Sequence, residues 1–165
     1  MIDLISNEKF LEDLQQEDEL GAVIRAHLYI ERIVNEILRV VVPFPESLKS
    51  LCLDFNGKLS VICAMGMKEE TKKCFSQIGR LRNRFAHEPN YRLTKSDTNS
   101  LYKSLEKEDK NLVQKCYRDL SGSSPEWKDM PQFKKLSARD QFTLIAIVVK
   151  TIAVNVLSDA RSKSA

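Results

Sequence analysis

The chemistry-bearing part of this chain is a nine-residue run, Gly79-Arg80-Leu81-Arg82-Asn83-Arg84-Phe85-Ala86-His87, which holds three arginines and one of only two histidines. A guanidinium grips phosphate oxygens through paired N–H donors. An imidazole titrating near neutral pH can move a proton to or from a hydroxyl or a leaving oxygen without a metal. On a helix, Arg80, Asn83, Arg84 and His87 share one edge, away from Leu81 and Phe85. Arg82 points about 140° from His87 on an ideal helix. The two therefore act on one phosphate only if the helix end unwinds or a second subunit brings its own copy. The plainer reading is a solvated or ion-paired helix end, where a basic residue complements the C-terminal dipole.

A second polar pair lies upstream. Val23, Ala26, Ile30, Ile33, Val34 and Ile37 recur at three- and four-residue spacing and gather on one helical stripe. His27 falls inside that stripe and Glu31 on its border, one turn apart. A buried imidazole or carboxylate without a partner costs about 1–3 kcal/mol or more, so a basic or polar group is expected to face them. Alternatively Glu31 sits at the rim beside Arg25 or Arg32, and His27 bonds a backbone carbonyl.

The elements that must position these residues read as helical almost throughout. Expected helices cover Asn7 to Gln16, Glu19 to Val42, ended by Pro43 and Pro45, and Lys68 to His87, ended by Pro89. Leu48 to Leu53 is a short turn or helix, and Asn56-Gly57 is a turn signal. Lys58 to Met65 is read as a short buried helix closed by Gly66, with a strand as the alternative. Thr94 to Leu120 gives one or two amphipathic helices, Ser121 to Pro131 a surface loop, and Ser137 with Asp140 a capping box for a last helix to about Ala160. That helix is apolar on several sides, so it must be central or shared with another subunit. Residues 1–160 form one all-α, single-domain helical bundle of about six to seven helices, and 161–165 a frayed tail. Trp127 is read as packing over a helix end or, less simply, as a partner anchor. The lysines from Lys103 to Lys115 alternate with Glu106, Glu108 and Asp109 and read as a solvated face.

Composition sets the outer bounds. A chain of 165 residues, 42% hydrophobic and 30% charged, is one domain's worth and has ample apolar surface to fold. With 26 basic and 23 acidic residues the net charge is +3, so an anionic partner must be met by a local patch. Cys52, Cys63, Cys74 and Cys116 form no metal-binding spacing, and free, mostly buried thiols in a reducing cytoplasm are expected. Neither a metal nor a cofactor is suggested. The longest uninterrupted apolar run, Leu144 to Val149, argues against a membrane span.

Arg82-Asn83-Arg84-Phe85-Ala86-His87 resembles the Arg-Asn-x-x-x-His signature of HEPN domains, small helical dimers many of which are metal-independent RNases of toxin–antitoxin, CRISPR and phage-defence systems. Asn56-Gly57-Lys58-Leu59-Ser60, then Ala64-Met65-Gly66-Met67, resembles the mannitol operon repressor (MltR) family and its HEPN-like relatives. His27-Leu28-Tyr29-Ile30-Glu31 is similar to the second-helix pattern of that group. The resemblance covers roughly Glu19 to Tyr91. It implies His87 as general base or acid, Arg82 as phosphate ligand, Asn83 as polar orienter, and Glu31 and His27 as auxiliary residues, with Arg80 and Arg84 available to phosphate or RNA. It also implies a homodimer whose two copies face each other across a cleft, and an antitoxin or other protein partner. Tyr91 stands four residues after His87, where some toxin members carry a tyrosine two residues after. The expected function is a metal-independent endoribonuclease; the alternative is a non-enzymatic MltR-like transcriptional regulator acting through protein or DNA. No helix-turn-helix or zinc-finger signature supports direct base reading.

Overall fold

The computed structural model describes residues 4–123 and 132–164. Those residues form seven α-helices and two 3₁₀ turns, with no strand among them. The helices are α1 (Asn7–Gln15), α2 (Glu19–Val41), α3 (Phe55–Ala64), α4 (Glu69–His87), α5 (Lys95–Lys103), α6 (Lys107–Ser123) and α7 (Ala138–Ser164); 3₁₀ turns cover Pro45–Leu51 and Phe133–Lys135.

The last helix is the spine of the bundle. Every residue from Gln141 to Lys150 is buried, as a helix apolar on several sides requires, and α1, α2, α4, α5 and α6 pack around it. By length and hydropathy α7 also matches a membrane span, but 67% of that window is buried inside the bundle. The single charge in this buried stretch is satisfied within the protein: Lys150 Nζ donates to the Ile5 carbonyl at 2.6 Å and to Asn7 Oδ1 at 3.0 Å, which ties the segment before α1 to the core. Burial pushes this ammonium's pKa down. At the start of α7, Ser137 Oγ accepts from the Asp140 N–H at 3.0 Å, as the capping pattern predicts. Arg139 donates to the carbonyls of Gln15, at 2.6 Å, and Glu17, which satisfies acceptors left open at the end of α1.

Several boundaries differ from expectation for identifiable reasons. Asn56-Gly57 is not a turn but lies in the first turn of α3, because Asp54 caps that helix by accepting from the Gly57 N–H at 2.7 Å. The strand alternative for Lys58 to Met65 is excluded. Gly66 closes α3 as expected. Its φ is +111°, and the pair of bonds Met67 N–H to Ile62 carbonyl (3.1 Å) and Gly66 N–H to Cys63 carbonyl (2.9 Å) makes a Schellman end. The α7 helix continues to Ser164, so residues 161–164 are helical and not frayed. The α6 helix takes in the first three residues of the expected loop; Trp127 lies outside the described residues. All four thiols are free, yet only Cys74 is buried and Cys52 is exposed, because Cys52 follows a 3₁₀ turn that has no buried residue. Burial pushes the Cys74 thiol up to about 12.

The helices that hold the chemistry, α2, α3 and α4, pack against one another. A Cβ on Gly79 of α4 would come 2.9 Å from the Phe55 ring of α3, so this glycine sets how closely the two helices meet. Phe55 in turn lies 4.7 Å, centroid to centroid, from the His27 ring of α2.

Candidate functional site

The α4 helix begins with Glu69 and Glu70 and ends with Arg84 and His87, an arrangement of charge that suits its dipole at both ends. It stays regular through its last turn, where the Glu88 N–H donates to the Arg84 carbonyl at 2.8 Å. Pro89 then forces Glu88 into an extended conformation, φ −117°. The helix end does not unwind, so Arg82 and His87 of one chain remain on different faces, separated by about 7.5 Å of axial rise.

Of the three arginines, Arg84 is committed to the fold. Its Nη1 donates to Asp97 Oδ1 at 2.8 Å, its Nε lies 3.5 Å from Glu88, and its guanidinium sits 4.1 Å from the centroid of the Tyr91 ring. Asp97 is buried. It also accepts from the Thr94 backbone at 2.8 Å, from the Thr94 hydroxyl and from the Tyr91 hydroxyl, and closes a capping box at the start of α5. Burial alone would raise the Asp97 pKa, but these hydrogen bonds and Arg84 together hold it below the usual carboxylate range. Tyr91 is pushed the other way, upward, by burial and by its bond to Asp97, and stays a phenol. Arg84 therefore staples α4 to α5; it stays exposed, but its guanidinium is shared with Asp97 and Glu88. Tyr91 belongs to the same staple.

Among the described residues, the remaining members of the edge have no acidic partner. Arg80, Arg82, Asn83 and His87 are exposed. Arg82 Nη1 donates to Asn83 Oδ1 at 3.1 Å, which aligns the guanidinium along α4. Among the described residues neither Arg80, Arg82 nor His87 forms an ion pair. His87 stands apart from Arg82 within the chain.

His27 is buried and Glu31 half-buried, as their positions inside the stripe and on its border imply. His27 is 5% exposed, and its Nδ1 lies 3.7 Å from Glu31 Oε2, too far for a hydrogen bond, which leaves Nδ1 buried and unpartnered. The other Glu31 oxygen accepts from Lys58 Nζ at 2.8 Å. Lys58 is the basic group expected to face Glu31, while His27 is left without a hydrogen-bond partner at Nδ1; the sequence did not single Lys58 out, and its signal was a lysine one turn into the short helix after the Asp54 cap. Arg25 is engaged by Glu17 instead. Burial lowers the His27 pKa; Glu31 opposes this, while Arg82 and Lys58 add to it. Arg82 thus acts electrostatically on His27 and links the α4 edge to the α2 pair.

Beside this junction α2 exposes apolar side chains. Leu20 and Leu28 are 46% and 59% exposed, and with Ile24 they repeat every four residues. On a 3.6-residue helix they form a stripe next to Glu31. Among the described residues no group of three or more His, Cys, Asp or Glu side chains is placed to hold a metal ion. Comparison with protein-family models, with curated proteins and with solved structures returned no match.

Proposed function

We propose that this chain is a metal-independent endoribonuclease of HEPN type that works as a homodimer, with Arg82 from one copy and His87 from the other serving one phosphate. The observation that carries the reading is the sorting of charge on α4. Arg84 is engaged by Asp97 and Tyr91, whereas Arg82 and His87 are exposed and, among the described residues, without an ion pair, on a helix that stays regular to its last residue.

In the proposed reaction an imidazole takes the proton of the ribose 2′-hydroxyl, the oxygen attacks the adjacent phosphorus as the P–O5′ bond breaks, the departing 5′-oxygen takes a proton from water, and the imidazolium returns its own to solvent. The product is a 2′,3′-cyclic phosphate. Arg82 neutralises the charge that builds on the phosphoryl oxygens, and Asn83 orients the guanidinium. Arg80, exposed on the same helix, adds to the positive field that gathers RNA. Glu31, held by Lys58, offsets part of the positive charge that Arg82 and Lys58 place near His27. The regular helix is what makes two copies necessary, and the Leu20, Ile24 and Leu28 stripe beside the junction is apolar surface suited to bringing them together.

The same stripe favours a second reading, an MltR-like regulator that docks a protein partner there and cleaves nothing. Incubating wild type, His87→Ala and Arg82→Ala with end-labelled single-stranded RNA in excess chelator separates the two. The ribonuclease reading expects cleavage by wild type and a loss of about 100-fold or more in each variant, the usual range for a lost general acid–base or electrostatic group. Equal cleavage by all three refutes it, and a wild type that leaves RNA intact favours the regulator.

A further inference from the structure

A second surface, on elements that carry neither Arg82 nor His87, has the makings of a binding site. The α5 helix, α6 and the 3₁₀ turn before α7 enclose a recess of about 810 Å³. Lys95, Lys103 and Lys134 line it, and no described acidic residue does. Lys95 Nζ donates to the Lys134 carbonyl at 3.3 Å, but the ammonium groups of Lys103 and Lys134 have no hydrogen bond or ion pair among the described residues. Two aromatic rings form part of the wall. Tyr102 and Phe133 lie 5.6 Å apart at a 40° tilt and are both partly exposed. They touch each other, so a flat ligand stacks over the pair and not between its members. Lys110, 6.0 Å from the Tyr102 centroid, brings a further cation to the rim. Asn99 and Gln132 present exposed side-chain amides that have no hydrogen-bond partner among the described residues.

The wall is also fixed in place. Thr98 Oγ1 donates to Gln141 Oε1 at 2.7 Å, and Gln141 Nε2 donates to the Phe133 carbonyl at 2.8 Å. Thr98 and Gln141 are 1% and 3% exposed, so this relay locks the turn carrying Phe133 and Lys134 onto α5 and α7. Unopposed ammonium groups, an aromatic platform and free amides, held rigidly in a recess larger than a mononucleotide, match phosphate, base face and base edge respectively.

We propose that this recess binds one phosphorylated nucleoside unit, its phosphate at Lys103 and Lys134 and its base over Tyr102 and Phe133. The unit comes either as a free nucleotide or as one residue of single-stranded RNA, and the proposal stands independently of cleavage at α4. The test is calorimetric titration of the full chain with AMP, with a 2′-O-methylated hexa-adenylate that cannot be cleaved through its 2′-oxygen, and with inorganic phosphate. Saturable binding of AMP or the hexamer, weakened about tenfold or more in Lys103→Glu/Lys134→Glu, is the expected result, since two charge-assisted bonds are lost. Tighter binding of the hexamer identifies an RNA chain as the source, and equal or tighter binding of AMP a free nucleotide. No saturable binding, binding unchanged in the double variant, or inorganic phosphate binding as well as AMP overturns the proposal. Both lysines are exposed, so the double variant is expected to fold, which its circular dichroism checks.

Discussion

Replacing Arg84 by alanine is expected to destabilise the protein, whereas Arg80→Ala and Arg82→Ala are expected to leave stability almost unchanged. The Arg84 side chain is 46% exposed, but the carboxylate it meets at 2.8 Å is only 7% exposed. A hydrogen bond to a charged group of this kind contributes roughly 1.5–3 kcal/mol, and the guanidinium over Tyr91 adds about 0.5–1 kcal/mol. The Glu88 contact, exposed on both sides, adds little. Partial exposure of the arginine trims the sum, and Asp97 keeps its bonds from Thr94 and Tyr91, so the cost stays below the 3–5 kcal/mol of a stranded buried charge. The net loss is about 2 kcal/mol, or about 4–8 °C in Tm for a chain of this size. Arg80 and Arg82 touch no buried group and should each shift stability by no more than about 0.5 kcal/mol. Thermal melts followed by circular dichroism measure all three. An Arg84→Ala melt indistinguishable from that of Arg80→Ala would refute the staple and return Arg84 to the free edge.

Three further outcomes follow from the packing of α2, α3 and α4. His27 is held neutral by burial, below its ordinary value of 6.5; the unfolded chain therefore takes up a proton first as pH falls. Stability is complete above pH 6.5 and declines as pH drops below it, and His27→Leu should flatten that decline in urea titrations between pH 6.5 and 5; an unchanged slope contradicts the buried assignment. Gly79→Ala drives a methyl group against Phe55 and should cost about 1–3 kcal/mol, part of which Phe55→Leu recovers; an additive double variant argues against the close approach. Lys58→Met removes the partner of a carboxylate that is 26% exposed and should lower stability by about 1 kcal/mol. A smaller loss when Glu31→Gln is already present, read by a double-mutant cycle, confirms the pairing; full additivity rejects it.

The parts of this fold set by local periodicity were readable from the chain alone. The α2 and α4 helices follow their apolar stripes and their prolines, and the central place of α7 follows from apolar residues on every side of it. Asn56-Gly57 misled because the dipeptide's turn preference is weaker than an Asp54 cap backed by the apolar face of α3. The site was legible to the extent that it depends on one helix: the burial of His27, the need for a partner, and the divergence of Arg82 and His87 all come from helix geometry. Lys58, Asp97 and Tyr91 were not legible as partners. They meet Glu31 and Arg84 only through tertiary packing or a loop reversal, neither of which leaves a spacing in the sequence. For the same reason a lysine run that reads as a solvated face gains an aromatic wall only once Phe133 is folded against α5.

The most direct test of the composite site is to mix Arg82→Ala with His87→Ala, each purified and inactive alone, and measure RNA cleavage in the presence of chelator. In a mixed dimer one site keeps both its arginine and its histidine while the other loses both. The account predicts that the mixture recovers cleavage, toward about a quarter of the wild-type rate when the subunits exchange freely. A mixture as inactive as its components, beside an active wild type, would contradict a site shared between two copies.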